Sequence, residues 1–129
     1  MSPRPADDAP WRALGGATGV AALVAAFVDR MIADPIIGFR FVGVDRDRLV
    51  QRELEHASEV LGGPLRYEGR PLAGVHRRLG IHTGQLRRRL AILAAVGRAH
   101  GADPAALATW VEADRALGPF LVDPGDCHG

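Results

Sequence analysis

The chain has 129 residues, enough for one domain that buries a real core without disulfides or a structural metal. Its 16 basic residues are all arginine and nearly balance its 15 acidic ones. No basic stripe with interleaved aromatics is present, which speaks against a nucleic-acid surface.

Apolar residues make up 47% and aromatic residues 5%, so aliphatic side chains fill the core. The single Cys127 has no internal partner, which is compatible with a reducing compartment. Met1 to Pro10 lacks the apolar stretch of a signal peptide, and the apolar run Val20–Val28 is too short to span a bilayer. The expectation is therefore a cytoplasmic protein with no membrane and no nucleic-acid partner. Residues 1–12 read as a disordered N-terminal arm, 13–123 as the folded domain and 124–129 as a disordered tail.

Within the domain the pattern is helical, with no convincing strand. Thr18 is the expected N-cap of a helix reaching Ala33, with Val20, Leu23, Val24, Phe27, Val28 and Met31 at three-four spacing. Asp34-Pro35 ends it, because the residue before proline disfavours helix. An irregular piece, Ile36 to Gly43, contains Phe39 and Phe41. Asp45 caps a second helix over Arg46 to Leu61, and Gly62-Gly63-Pro64 stops it.

A Gly/Pro-rich loop follows, then a short helix from Leu72 to Leu79 that Gly80 ends. Thr83 opens a long helix to His100, with Leu86, Leu90, Leu93 and Val96 on one face. Asp103-Pro104 opens the last helix, running to about Val122, with Leu107, Trp110, Val111, Leu117 and Leu121 inward. Helices of unequal length around a long loop indicate an all-α fold other than a regular bundle.

Four pieces in order carry a resemblance. They are Leu14-Gly15-Gly16; Ala33-Asp34-Pro35 followed by Phe41-Val42-Gly43-Val44-Asp45; Leu61-Gly62-Gly63-Pro64 with Tyr67 and Gly69; and Val75-His76-Arg77-Arg78-Leu79-Gly80-Ile81. In this order the chain resembles the truncated haemoglobins, most closely their first group, from Leu14 to Asp123. The resemblance implies a truncated globin-like fold, a two-over-two helical sandwich around haem b.

His76 matches the family's proximal histidine, which makes it the expected iron ligand; haem iron takes a neutral imidazole nitrogen. Leu79 and Ile81 would press on the proximal face, and Arg77 or Arg78 would face solvent or a propionate. Phe41 matches the phenylalanine wedged against haem, and Tyr67 a tyrosine near the propionates.

The distal side departs from the family. First-group members place a ligand-binding Tyr directly after the Phe of the first long helix; here Phe27 is followed by Val28. Leu49 matches the residue over the iron, and Glu53 stands where the family usually has Gln. Leu49, Glu53, His56 and Ala57 share one helical face.

Glu53 is the candidate distal acid–base. Turned into an apolar pocket, a carboxyl group favours its neutral form and could donate to a ligand or pass protons. Turned outward, it would pair with Arg52 or Arg48. His56 reads first as a surface residue, with a proton relay or iron ligation as the alternative. Asp114, between Val111 and Leu117, is expected at the edge of the last helix's apolar stripe. His82, His100 and His128 read as exposed.

Several functions remain open. One is a protein binding oxygen, nitric oxide or carbon monoxide, including oxygen transport or nitric oxide dioxygenase-like activity. Loss of the Tyr would weaken oxygen retention by roughly 1–3 kcal/mol. Another is a peroxidase-like haem enzyme using Glu53; others are a haem sensor or haem-handling protein and a non-haem interaction module. Redox turnover would need an external electron donor or reductase. The expected assembly is a monomer or weak homodimer.

Overall fold

A computed structural model describes residues 7–69 and 83–118. Its helices in chain order are α1 (Ala9–Ala13), α2 (Gly16–Ala33), a 3-10 turn (Gly38–Phe41), α3 (Arg46–Leu61), α4 (Thr83–Ala99) and α5 (Pro104–Ala116). Among the described residues there is no strand. The expected helix over Leu72–Leu79, the end of the last helix toward Val122 and the tail 124–129 lie outside the described residues.

The caps explain most boundaries. The Asp45 side chain accepts from the Arg48 N–H at 3.2 Å, and Asp103 accepts from the Ala106 N–H at 2.9 Å. α2 differs from expectation at its start. Gly15, with φ of 95°, precedes the first helical residue, so the helix begins two residues before Thr18. That left-handed conformation suits glycine and lets the chain turn from α1 directly into α2. At the other end Asp34 is extended, as its proline neighbour requires.

The N-terminal arm is a correction. Residues 9–13 are helical, with Pro10 in the first turn, and Trp11 is buried in the core. The aromatic payload of Trp11 anchors this segment to the core. The packed domain therefore begins before residue 13.

α2 is the central helix. It packs on α3 and α4, while α3 and α4 each also pack on α5. The core holds Val20, Leu23, Val24, Phe27, Val28 and Met31 of α2, with Leu61, Ile92, Leu93, Val96, Ala106 and Trp110 from the other helices. At 18 residues, α2 is long and apolar enough to cross a membrane by length and composition, unlike the shorter run seen in the sequence. Here its apolar stripe is covered by neighbouring helices.

Candidate functional site: a charged cluster between three helices

The loop after α3 is held by the helix it leaves. Gly62 adopts φ of 84° at the C-cap. Beyond it, three side chains on one face of α3 accept backbone N–H groups: Ser58 Oγ from Leu65 at 2.8 Å, Glu59 Oε1 from Tyr67 at 2.8 Å and Glu55 Oε1 from Glu68 at 3.0 Å. Glu55 also accepts from Gln51 and Arg52. Burial disfavours its charged form, and these donors outweigh that, so its carboxyl lies below the usual range. Tyr67 is thereby fixed, half-buried, beside α3.

The opposite edge is apolar. Phe41 and Leu49 pack partly buried against the core. Around Phe41, the side chains of Ile36, Phe39, Val42 and Val44 are 45–84% exposed. Asp34 fixes the start of this segment. Its Oδ2 accepts from Ile36 and Ile37, and its Oδ1 accepts from Arg88 Nε at 2.9 Å. The Arg88 hydrogen bond, opposed by desolvation and helped by the two backbone donors, lowers the Asp34 carboxyl to about 2.

Four ionisable side chains from three helices meet behind Phe27. Glu53 of α3 accepts two hydrogen bonds from Arg89 of α4, Nη1 to Oε2 at 2.7 Å and Nη2 to Oε1 at 2.9 Å. Arg89 Nη2 also donates to Asp114 Oδ2 of α5 at 3.1 Å. Asp114 Oδ1 lies 2.7 Å from His56 Nε2. The guanidinium sits 4.9 Å from the centroid of the Phe27 ring, and its Nη1 approaches Met31 Sδ at 3.7 Å.

The cluster is graded in exposure. The side chains of Arg89 and Glu53 are 22% and 13% exposed, those of His56 and Asp114 9% and 3%. Burial opposes the His56 imidazolium, but the Asp114 hydrogen bond and charge outweigh it and raise the His56 pKa. Burial likewise opposes the Asp114 carboxylate, while His56 and Arg89 hold its pKa below the usual range. Both partners thus favour a buried imidazolium–carboxylate pair.

These positions revise several expectations. Glu53 pairs with neither Arg52 nor Arg48; Arg52 pairs with Glu55, and Glu53 pairs with Arg89. His56 is buried, because Asp114 lies across from it on α5. Asp114 is 2% exposed and has two partners. Phe27 and Val28 are fully buried, as is Ala57. His100 is exposed, as expected.

His76, Leu79 and Ile81, together with Arg77, Arg78, His82 and His128, lie outside the described residues. Sequence reasoning missed Arg89. The run Arg87-Arg88-Arg89 stands out in the sequence only as consecutive basic residues, yet Arg88 and Arg89 each clamp a carboxylate on another segment. A signal was present: Arg89 precedes Leu90 and lies one turn before Leu93 on a helix with a buried face.

Comparison with known proteins gives concordant matches. The family model for bacterial-like globins matches residues 10–105. The group 1 truncated hemoglobin GlbN of Mycolicibacterium paratuberculosis is 34% identical over 68 residues. That match covers 53% of this chain and 50% of the relative, so the chain spans about half the length of the curated relative it matches.

Among solved structures, a truncated hemoglobin from Tetrahymena pyriformis, in its Fe(III) form, superposes with a TM-score of 0.82. It is 20% identical, and the match covers 88% of this chain and 97% of that one. Chlamydomonas reinhardtii THB1 gives a TM-score of 0.76 at 28% identity, covering 91% and 98%. The group II truncated hemoglobin of Bacillus anthracis gives 0.77 at 19%, covering 88% and 90%. The architecture is the all-helical truncated-globin fold.

Proposed function

We propose that this chain, which belongs to the bacterial-like globins, is a haem protein that takes a small ligand at the iron beneath an unusually charged distal wall. The globin family implies haem; its identity as haem b and the ligands it takes are part of this reading. The observation that carries the reading is a truncated-globin fold whose central helix brings Phe27 under Arg89, the partner of Glu53.

The described residues suit such a group. A flat, mostly apolar macrocycle needs an apolar edge, and Phe41 and Leu49 with the exposed side chains around Phe41 supply one. Phe27, Val28, Phe41, Leu49 and Tyr67 would hold it, together with Leu79 and Ile81. His76 would ligate the iron. When bound, haem supplies an iron that accepts one small ligand at its open position.

The chain's own residues set the polarity of that space. Val28 contributes bulk and no hydrogen bond. Glu53 contributes a carboxylate with both oxygens engaged by Arg89. The Nε2 of His56 is engaged by Asp114, which favours an anchoring role over iron ligation.

The main reading is binding of oxygen, nitric oxide or carbon monoxide, in the cytoplasm, with an external reductase where the iron cycles. The Glu53–Arg89 pair favours a second reading, a haem enzyme in which Glu53 moves protons for peroxide or another small substrate.

The test is the absorption spectrum of the haem-reconstituted protein, ferric, dithionite-reduced and with carbon monoxide, for wild type and His76→Ala. We expect a strong Soret band that shifts with carbon monoxide and is lost or displaced in His76→Ala. A wild-type protein without a stoichiometric Soret band would overturn the reading.

A further inference from the structure

We infer that the Glu53–Arg89 pair is a binding site for small weak acids, which enter as neutral HX and are held as the anion, with Glu53 taking the proton and Arg89 facing the anion. This rests on the haem reading, because it assigns the space in front of the pair to a ligand.

The geometry supplies an acceptor and a donor side by side. Two parallel hydrogen bonds, 2.7 and 2.9 Å, fix the carboxylate and guanidinium in register. The pair is the accessible end of the cluster, since Asp114 and His56 behind it are more deeply buried. Its surroundings are apolar: the Phe27 ring lies under the guanidinium, Met31 Sδ lies 3.7 Å from its Nη1, and Phe27 and Met31 are both buried.

In such a setting an added net charge is costly. A bare anion arriving at Arg89 would meet Glu53 and Asp114, two carboxylates already facing the same cation. A neutral weak acid avoids that cost. The H–X bond breaks with its electron pair left on X, and an O–H bond forms at a Glu53 oxygen. The anion then takes the place at Arg89 that the Glu53 charge held. Total charge is unchanged and nothing is oxidised or reduced.

Asp114 keeps its own hydrogen bond to Arg89 Nη2, so the guanidinium stays anchored when Glu53 is neutralised. The charged and titratable groups around Glu53 are Arg89 from α4, Asp114 from α5, His56 on its own helix and Tyr67 from the loop. α2 contributes Phe27 and Met31, neither charged. A diatomic gas has no proton to give and gains nothing from this exchange. The pair therefore selects protic ligands such as hydrogen peroxide or hydrogen fluoride.

The test uses sodium fluoride as probe on the full-length ferric haem protein, at pH values where the ferric spectrum is itself constant. The fluoride dissociation constant is read from the Soret change, and proton uptake from a weakly buffered pH indicator. We expect about one proton taken up per fluoride and an affinity that falls about tenfold per unit rise in pH. In Glu53→Gln the uptake and the pH slope should vanish. Arg89→Leu should weaken fluoride about ten- to a hundredfold at fixed pH.

Arg89→Lys, which keeps the charge, should retain proton uptake with weaker affinity, and it serves if Arg89→Leu does not fold. Fluoride binding without proton uptake, or uptake unchanged in Glu53→Gln, would overturn the inference. In either case a carbon monoxide shift in the reduced wild type would leave the haem reading standing. Absence of any Soret band would remove both.

Discussion

Arg89 holds together a group of charges that water would otherwise solvate. It has a carboxylate on each side, Glu53 and Asp114, and an aromatic face beneath. The net value of such a cluster against an apolar equivalent is small, but removing one member leaves the others uncompensated. Arg89→Met is therefore expected to destabilise the fold by about 3–5 kcal/mol. Urea unfolding would measure it, and a loss under about 1 kcal/mol would mean that the carboxylates find water instead.

Between elements, the His56–Asp114 pair is the polar tie from α3 to α5. The His56 pKa is raised in the fold, so its contribution is fully present below the ordinary histidine value, about 6.5. It is lost as pH rises through the higher folded value. Stability should thus decline from near neutrality upward in wild type, and His56→Gln should flatten that part of the profile. Thermal melts between about pH 6 and 9 would check it.

The elements themselves were largely legible. Asp45 and Asp103 announce α3 and α5 because a cap acts within four residues, and Asp34-Pro35 closes α2 for the same local reason. The cluster was not legible. Glu53, Arg89 and Asp114 are separated by 36 and 25 residues, and only the crossing of α3, α4 and α5 brings them together. Arginine in a run of three reads as solvated until a partner on another helix is known. The expected place of Glu53 on the distal-facing side of α3 came from the resemblance; its counter-ion came from the structure.

For the molecule as a whole, α1 closes the domain. Trp11 lies against Gly63, where a Cβ would come within 2.5 Å of the indole and of Ser58 Oγ. The absence of a side chain at Gly63 is what admits the tryptophan. Gly63→Ala is expected to cost about 1–3 kcal/mol through overpacking and to loosen α1. A lower melting temperature with increased exposure of Trp11 fluorescence to quencher would bear this out. An unchanged melt would mean that α1 is carried by other contacts.

The four-membered cluster also constrains how such a chain can change over generations. A lineage that exchanged Arg89 for an aliphatic residue would pass through a form with two stranded carboxylates, and one that lost Glu53 first would pass through a form with altered charge balance. Glu53, His56, Arg89 and Asp114 should therefore be inherited or replaced as a set. A family tree sorted by the residue at position 53 should sort positions 89 and 114 with it.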